Sequence, residues 1–510
     1  MDLGTAFAFS VLRRPSAEAF VEGGRRRTYA QWYAEIRAVG GALRRMGLKP
    51  ADHVVVAMRN RHEMATLYWA CQLLGLIFTP VSWRGSADEI AYCLEDAEAV
   101  AVAYDGAAKD AAPQAAAKLR IDPRRLIVAA DGRGDGVAFE RLLAAAPIDG
   151  PVGVDDRATC LMLYTSGTTG RPKGVPRSHR SELAAGVSQI AHHHYRPGES
   201  SLGVMPMFHT MGVRSLLSSA LVNGKLVCMP DYVAEEVLRL VAAERISALF
   251  LVPTMFHDVL REQRFEQLDL TSLSRVGYAG MAMTPALVEK CLDMLSPDSF
   301  VNHYGSSEIY TFTICDHTAK PGCAGRAGLN AQIRVVSADP DRRHDIATDL
   351  APGEPGEIVA SLESPEAFAG YWKRPDADAR SIQGEWYRTG DLGRLDDDGE
   401  LYVVGRVDDM IISAGENIYP EEVEDALARC SLVAGVAVVG MPDTRLGARV
   451  VAFVEPAAEL SQQQLDEACL RGGLARFKRP REYVLVKSIP RSASGKILRR
   501  RLRTGDYERL

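Results

Sequence analysis

From Thr28 to about Phe300, short apolar runs alternate with stretches whose apolar residues recur at helical spacing. Thr28 and Gln31 form a capping box ahead of an amphipathic helix that reaches about Arg45. Apolar runs at Val54–Met58, Leu126–Ala130, Ala158–Tyr164, Leu202–Met205, Leu226–Met229, Ala248–Val252 and Val276–Ala279 predict buried strands, most of them followed by a helix-like segment. That order predicts parallel sheets covered by helices. Ala65–Val81 predicts a buried helix running into a strand; with Gln72, Gly75 and Pro80 inside it, it is too short to span a bilayer.

The pattern changes at Gly325. Up to Val404, short alternating runs separated by Pro-Gly and Asp-Gly turns predict a small β-rich subdomain, with Asp396-Asp397-Asp398-Gly399 as a hairpin turn. After Gly405-Arg406-Val407-Asp408-Asp409 come a helix (Pro420–Arg429), strands (Ala434–Val439, Val450–Val454), a helix (Gln462–Gly472) and a strand (Glu482–Val486). The expected class is α/β: a large N-terminal domain over 1–405, a boundary at 406–409 and a small α+β domain over 410–510.

Composition narrows the function. The chain has 510 residues, too many for one core, and is 47% hydrophobic and 25% charged, as in globular proteins. A net charge of -6 offers no basic field for a nucleic-acid backbone. Nine cysteines without a C-x-x-C pair suit reduced thiols and a cytoplasmic location better than disulfides or zinc. The expected state is monomer or homodimer, without an integral membrane segment.

Candidate chemistry concentrates in Tyr164-Thr165-Ser166-Gly167-Thr168-Thr169-Gly170-Arg171-Pro172-Lys173-Gly174. Glycines allow close backbone approach, hydroxyls and amides donate, and Lys173 adds a point charge, which together can wrap phosphate oxygens. The P-loop consensus does not fit, because Pro172 precedes Lys173 and Gly174 follows it. With a strand before it and a helix from Ser178 onward, the loop is expected between strand and helix. A Thr/Gly-rich surface connection is the alternative.

Further candidates lie at strand ends. Asn302-His303-Tyr304-Gly305-Ser306-Ser307-Glu308 offers Tyr304 to stack on a base and Glu308 to hold Mg²⁺, or else a turn with a solvated glutamate. Gly280 follows Tyr278-Ala279, where a flat base could rest on the backbone. Asp391, in Trp386–Gly393, suits a ribose hydroxyl or a plain turn, with Arg406 expected near the same sugar. Lys496 sits in the loop Pro490–Ile497 before a basic helix, and His209 in Pro206–Thr210. His192-His193-His194 reads as a solvated helix end, since three consecutive residues cannot face one ion.

Taken together, from about Thr28 to Arg500, these stretches resemble the acyl-adenylate-forming (ANL) superfamily of AMP-forming acyl-CoA synthetases, adenylation domains and firefly luciferase. The resemblance is marked to the bacterial 4-chlorobenzoate–CoA ligases, especially at Gly405–Glu424 and Phe477-Lys478-Arg479-Pro480. It implies a two-step ligase using ATP, Mg²⁺, a carboxylic acid and coenzyme A. Thr165, Ser166, Gly167, Thr168, Thr169, Gly170 and Lys173 would hold the β- and γ-phosphates, Glu308 the Mg²⁺, and Lys496 would bridge the carboxylate and α-phosphate. Gly280, Met281, Tyr304, Gly305 and Ser306 would frame the nucleotide, with Asp391 and Arg406 on the ribose.

The same resemblance implies an acid pocket of Phe250, Ala279, Met281, His303, Ile309 and Tyr310, with His209 and Met211 at its mouth. It puts coenzyme A against Arg84, Gly415, Phe477 and Arg479, makes 406–409 a hinge with Asp408 at its pivot, and makes the domain over 410–510, which carries Lys496, mobile. Leu446 departs from the pattern where the chlorobenzoate ligases have an aromatic residue stacking on coenzyme A. The expected acid is an aromatic or cyclic monocarboxylate; short- and medium-chain fatty acids, loading of a separate carrier protein, and a nucleotide sensor stay open as alternatives.

Overall fold

The computed structural model describes every residue except 166–170, 264, 318–322, 339–345, 347, 414, 415, 473 and 492–496. The chain parts into two compact units, one of 1–332 with 360–387 and one of 333–359 with 388–510. The segment 406–409 lies within the second of these.

The first unit is built on two sheets. One runs in the order Arg326–Ala327, Thr313–Asp316, Ser299–Tyr304, Arg275–Ala279, Ala248–Leu251, Ser200–Gly203, Lys225–Cys228, Glu18–Glu22, Arg25–Thr28. Its central strands are parallel, and antiparallel pairs close both ends. The other runs Val137–Ala138, Leu126–Val128, Ala101–Tyr104, His53–Ala57, Ile77–Pro80, Thr159–Thr165, Lys173–Ser178. The continuous apolar runs become these interior strands because a parallel sheet is buried on both faces; His53–Ala57 and Ala248–Leu251 are buried at every position.

The capping box at Thr28 and Gln31 is formed, and the helix it starts, Tyr29–Arg45, packs Trp32 into the core. The apolar stretch divides as its residues demand: the helix His62–Leu74 ends at Gly75 in the left-handed region, φ 66°, and the strand Ile77–Pro80 follows. Among the described residues no helix is long and apolar enough to cross a membrane.

The strand Trp386–Leu395, whose residues 388–395 belong to the second unit, pairs antiparallel there with Leu401–Arg406 across the Asp396–Gly399 turn. A further sheet runs Glu416–Ile418, Ile411–Ser413, Gly447–Pro456, Val433–Asp443, with Glu482–Leu485 parallel to Gly447–Pro456. Helices Pro420–Ala428 and Gln462–Arg471 bury Val423, Leu427 and Leu465 in one apolar cluster of this unit, while Leu502 of Arg499–Arg503 joins another with Phe453 and Val484.

Candidate functional site

The Thr/Gly-rich stretch closes a hairpin. Thr159–Thr165 pairs antiparallel with Lys173–Ser178, Thr165 opposite Lys173 and Tyr164 opposite Gly174. The helix expected next begins at His179, capped by the Ser178 side chain, but only after this second strand. The expected strand–loop–helix order is therefore corrected: the run Lys173–Ser178 finds a ladder partner in Thr159–Thr165, so the helix N-terminus is displaced from the loop. Ser166, Gly167, Thr168, Thr169 and Gly170 lie outside the described residues. The base of the hairpin is pinned, with the Trp372 amide donating to the Gly174 carbonyl (2.9 Å) and the Trp372 indole to the Asp96 carbonyl (2.9 Å).

Tyr371 joins two of the expected site residues. The Lys173 ammonium lies over its ring, 3.8 Å from the centroid, and its hydroxyl donates to Glu308 Oε1 at 2.7 Å. Burial, reinforced by Glu308, raises the Tyr371 pKa, so the phenol stays protonated and remains a donor. Glu308 is 6% exposed. Its backbone carbonyl accepts from Arg177 at 3.0 Å and from the Phe368 amide at 2.9 Å, and its amide donates to Ser306 Oγ at 3.2 Å. Gly305 is required because a Cβ there would strike the Tyr310 carbonyl.

Among the described residues no group of three or more His, Cys, Asp or Glu is arranged to hold a metal. Glu308 alone is nevertheless suited to Mg²⁺, which commonly takes one or two carboxylates and completes its shell with water and phosphate oxygens.

The strand ends Ala279 and Tyr304 lie side by side on neighbouring parallel strands, with Ala279 opposite His303. Gly280 follows with φ 89°, and Met281 is half-buried. Tyr304 is half-buried, its ring edge-on to Phe312 at 5.2 Å. Of the residues expected around the acid, Met211, Phe250 and Ala279 share one apolar cluster. Ile309 and Tyr310 are buried at 1% and 2% exposure. His209 sits at the N-cap of the helix Thr210–Leu221, its ring 4.4 Å from that of Phe208.

His303 is enclosed. Its Nδ1 faces His193 Nε2 at 3.2 Å, and its Nε2 meets the Arg214 guanidinium at 3.0 Å and Thr311 Oγ1 at 2.9 Å. Burial, then the Arg214 charge, pushes the pKa of both histidines well down. The reading of His192–His194 as a solvated helix end thus fails at His193, which is 2% exposed. It turns inward because Gly277, opposite it on the sheet, leaves room for a ring. Tyr371, Arg177 and Arg214 went unnoticed in the sequence; the Tyr371-Trp372 pair was the visible signal for the first, and the two arginines have none. His193 was in view within the run His192–His194, whose pattern does not say which ring turns inward.

In the second unit, Asp391 and Arg406 are cross-strand partners, the guanidinium donating to Asp391 Oδ1 at 2.6 Å. Asp408 is exposed in a short turn, Val407–Asp409. Arg479 pairs with Asp466 at 2.9 Å and Phe477 is 42% exposed. The Leu446 amide caps Asp443 at the turn between two strands. Arg84 belongs to the first unit, its guanidinium 3.9 Å over the Trp83 ring. Gly415 and Lys496 lie outside the described residues.

Residues 7–372 match the AMP-binding enzyme family and residues 422–496 its C-terminal domain. The chain is 32% identical to a long-chain-fatty-acid–CoA ligase, FadD13, of Mycobacterium tuberculosis, over 96% of this chain and 95% of that one. It is 32% identical to a 4-chlorobenzoate–CoA ligase of an Arthrobacter species, over 98% and 95%. Its fold is similar to the o-succinylbenzoate CoA synthetase of Bacillus subtilis solved with ATP and magnesium, with a TM-score of 0.85, 25% identity and 98% of each chain covered. With both family matches in order along one chain, and relatives that align almost end to end, the protein belongs to the AMP-binding enzyme family of AMP-forming acyl-CoA ligases.

Proposed function

We propose that the protein is an ATP-dependent carboxylate–CoA ligase acting on an aromatic or cyclic monocarboxylic acid. The observation that carries the ligase reading is Tyr371, which holds a cation over its ring and a carboxylate at its hydroxyl. Positive and acidic groups are thus 3.8 Å and 2.7 Å from one side chain. Phosphoryl-centred transfer relies on such positioning and charge neutralisation more than on covalent help.

In this reading an acid oxygen attacks the α-phosphorus of ATP and pyrophosphate leaves; the coenzyme A sulfur then attacks the acyl carbonyl and AMP leaves. Lys173 and the hairpin loop bind the phosphates, Glu308 holds Mg²⁺, and Lys496 neutralises the carboxylate and α-phosphate. Gly280, Met281 and Tyr304 receive the base, and Asp391 with Arg406 the ribose. Coenzyme A meets Arg84, Phe477 and Arg479, and Asp408 serves as the hinge between the two steps.

The acid class rests on the wall residues. Phe250, Ala279, Met211 and Ile309 are apolar, which suits a ring. His303 adds no free donor, because both ring nitrogens are engaged.

A panel of benzoates and straight-chain acids in an assay of acid-dependent pyrophosphate release, followed by coenzyme A-dependent AMP release, tests the reading. Lys496→Ala is expected to lose most pyrophosphate release yet still convert a supplied acyl-adenylate to thioester. Equal loss of both half-reactions would contradict the role of Lys496, and a higher kcat/KM for long-chain acids would contradict the acid class.

A further inference from the structure

Two small residues cut a furrow along one face of the first unit's large sheet. In the parallel register, Gly277 lies between Phe250 and Val301, and Ala279 lies beside His303. Side chains in register on neighbouring parallel strands point to the same face, as do residues two apart on one strand. Gly277 and Ala279 therefore form a floor between Phe250 on one side and Val301 with His303 on the other. The Ala279 end leads to Gly280 and Met281, where the nucleotide is placed above; the Gly277 end lies deeper by about 6.6 Å at ~3.3 Å per residue.

At Gly277 the furrow is filled. His193, the residue that ends the helix His179–His192, lays its ring there. A Cβ built on Gly277 would come within 2.6 Å of His193 Cε1 and 2.8 Å of Nδ1. The same ring stands edge-on to Phe250 at 5.1 Å and lies 5.5 Å from His303. The glycine and the histidine thus fit as socket and plug.

The plug is held in one orientation. A guanidinium only donates, so the Arg214 contact at 3.0 Å makes His303 Nε2 an acceptor. His303 then carries its hydrogen on Nδ1 and donates it to His193 Nε2 at 3.2 Å. His193 keeps its own hydrogen on Nδ1, at the edge facing Gly277. Turning the ring out of the furrow would break this chain and leave a buried N–H without an acceptor, which is costly.

We infer that His193 is the chain-length-determining residue: it makes the acid site a blind slot that ends at Gly277 and is as deep as a single ring or a short chain. The inference rests on the ligase reading above and names which acids that site refuses, namely long straight-chain acids that would have to pass Gly277.

The test uses the full-length protein and uncleavable adenylate mimics, 5′-O-(N-acylsulfamoyl)adenosines carrying benzoyl, butanoyl, octanoyl or dodecanoyl groups, with Kd measured by calorimetry. The unmodified protein is expected to bind the dodecanoyl mimic at least 100-fold more weakly than the benzoyl one. In His193→Ala the ratio should move at least tenfold toward dodecanoyl. Adding Gly277→Val, which refills the furrow from the strand, should take that gain away. His193→Ser, which also empties the furrow but keeps a small polar group at the helix end, carries the same expectation should the alanine variant melt early. An unchanged length profile in His193→Ala and His193→Ser, or dodecanoyl bound as tightly as benzoyl by the unmodified protein, overturns the inference and leaves the ligase reading standing. Failure of every mimic to bind overturns the ligase reading itself.

Discussion

Two arginines buried in the first unit approach the same tyrosine ring and solve the problem of a buried charge differently. Arg177, 4.0 Å from the Tyr310 centroid, donates to Glu182 at 2.8 Å, and both side chains are fully buried. It also donates to the carbonyls of Glu308 at 3.0 Å and Glu366 at 2.6 Å. Arg214, 5.6 Å from the same centroid, has among the described residues no carboxylate at ion-pairing distance and donates instead to His303 and, at 3.4 Å, to the Tyr310 carbonyl. Burial lowers its pKa. Arg177 is thus a strut that holds the Glu308 turn in place, while Arg214 sets the tautomers of His303 and His193. A paired charge can carry load; a charge facing neutral histidines orients them.

The largest effect expected from this contrast is at Arg177. Arg177→Met leaves the Glu182 carboxylate buried without its partner, which should cost about 3–5 kcal/mol of stability. Urea denaturation measures it. Adding Glu182→Leu should recover most of the loss, and a double variant no better than the single one would show that the strut's backbone contacts matter more than its ion pair.

Next is the carboxylate that the strut positions. Glu308→Gln keeps the shape and the acceptor for Tyr371 but removes the charge for Mg²⁺. Pyrophosphate release should fall about 100- to 1000-fold, the scale of losing one preorganised electrostatic contact, with the melting temperature nearly unchanged. Retained activity would move the metal elsewhere.

The histidines make a prediction for pH. Burial lowers His53 and His179 to about 4. Their unfolded forms titrate near 6.5, so as pH falls below 6.5 the unfolded chain takes up protons that the folded chain refuses, and stability is lost. Between pH 7.5 and 5.5 the pair should cost roughly 2.5–3 kcal/mol at about 1.4 kcal/mol per unit and group. His193 and His303 shift in the same direction and add to the loss. A urea midpoint that rises on acidification would contradict this sign.

The smallest effect is at Tyr371→Phe. It keeps the ring under Lys173 and removes the hydrogen bond to Glu308, worth about 1.5 kcal/mol for a charged acceptor. Roughly tenfold in kcat/KM for ATP is expected, with the acid KM unmoved. A larger change in the acid KM would mean that Tyr371 serves the other side of the site.

Along the chain, many strands and helices of both units were legible because each of those carries its own signal. Val54–Met58 and Ala248–Val252 read as interior strands from continuous apolar runs, and Thr28 announced a helix by a cap three residues from its partner. The hairpin at Thr165–Lys173 was misread for a physical reason: Lys173–Ser178 contains Lys, Gly, Pro, Arg and Ser, so nothing local marks it as a strand. It is one because Thr159–Thr165 offers a ladder partner.

The candidate site divides the same way. Glu308, Lys173, Asp391 and Arg406 stand in short stretches whose residue types state a chemistry, and the family resemblance extended to Lys496, Gly415 and the hinge expected at Asp408. Tyr371 and Arg214 stand in no such stretch, and the run His192-His193-His194 does not say which way its middle residue turns. What the chain determined by itself was its family, its alternating α/β order and the residues that meet charge. Only the tertiary structure decided that Tyr371 lies between Lys173 and Glu308, and that His193 fills the space left by Gly277. Such contacts join residues many positions apart, and their energy depends on a distance and a shared burial that no local pattern of residues records.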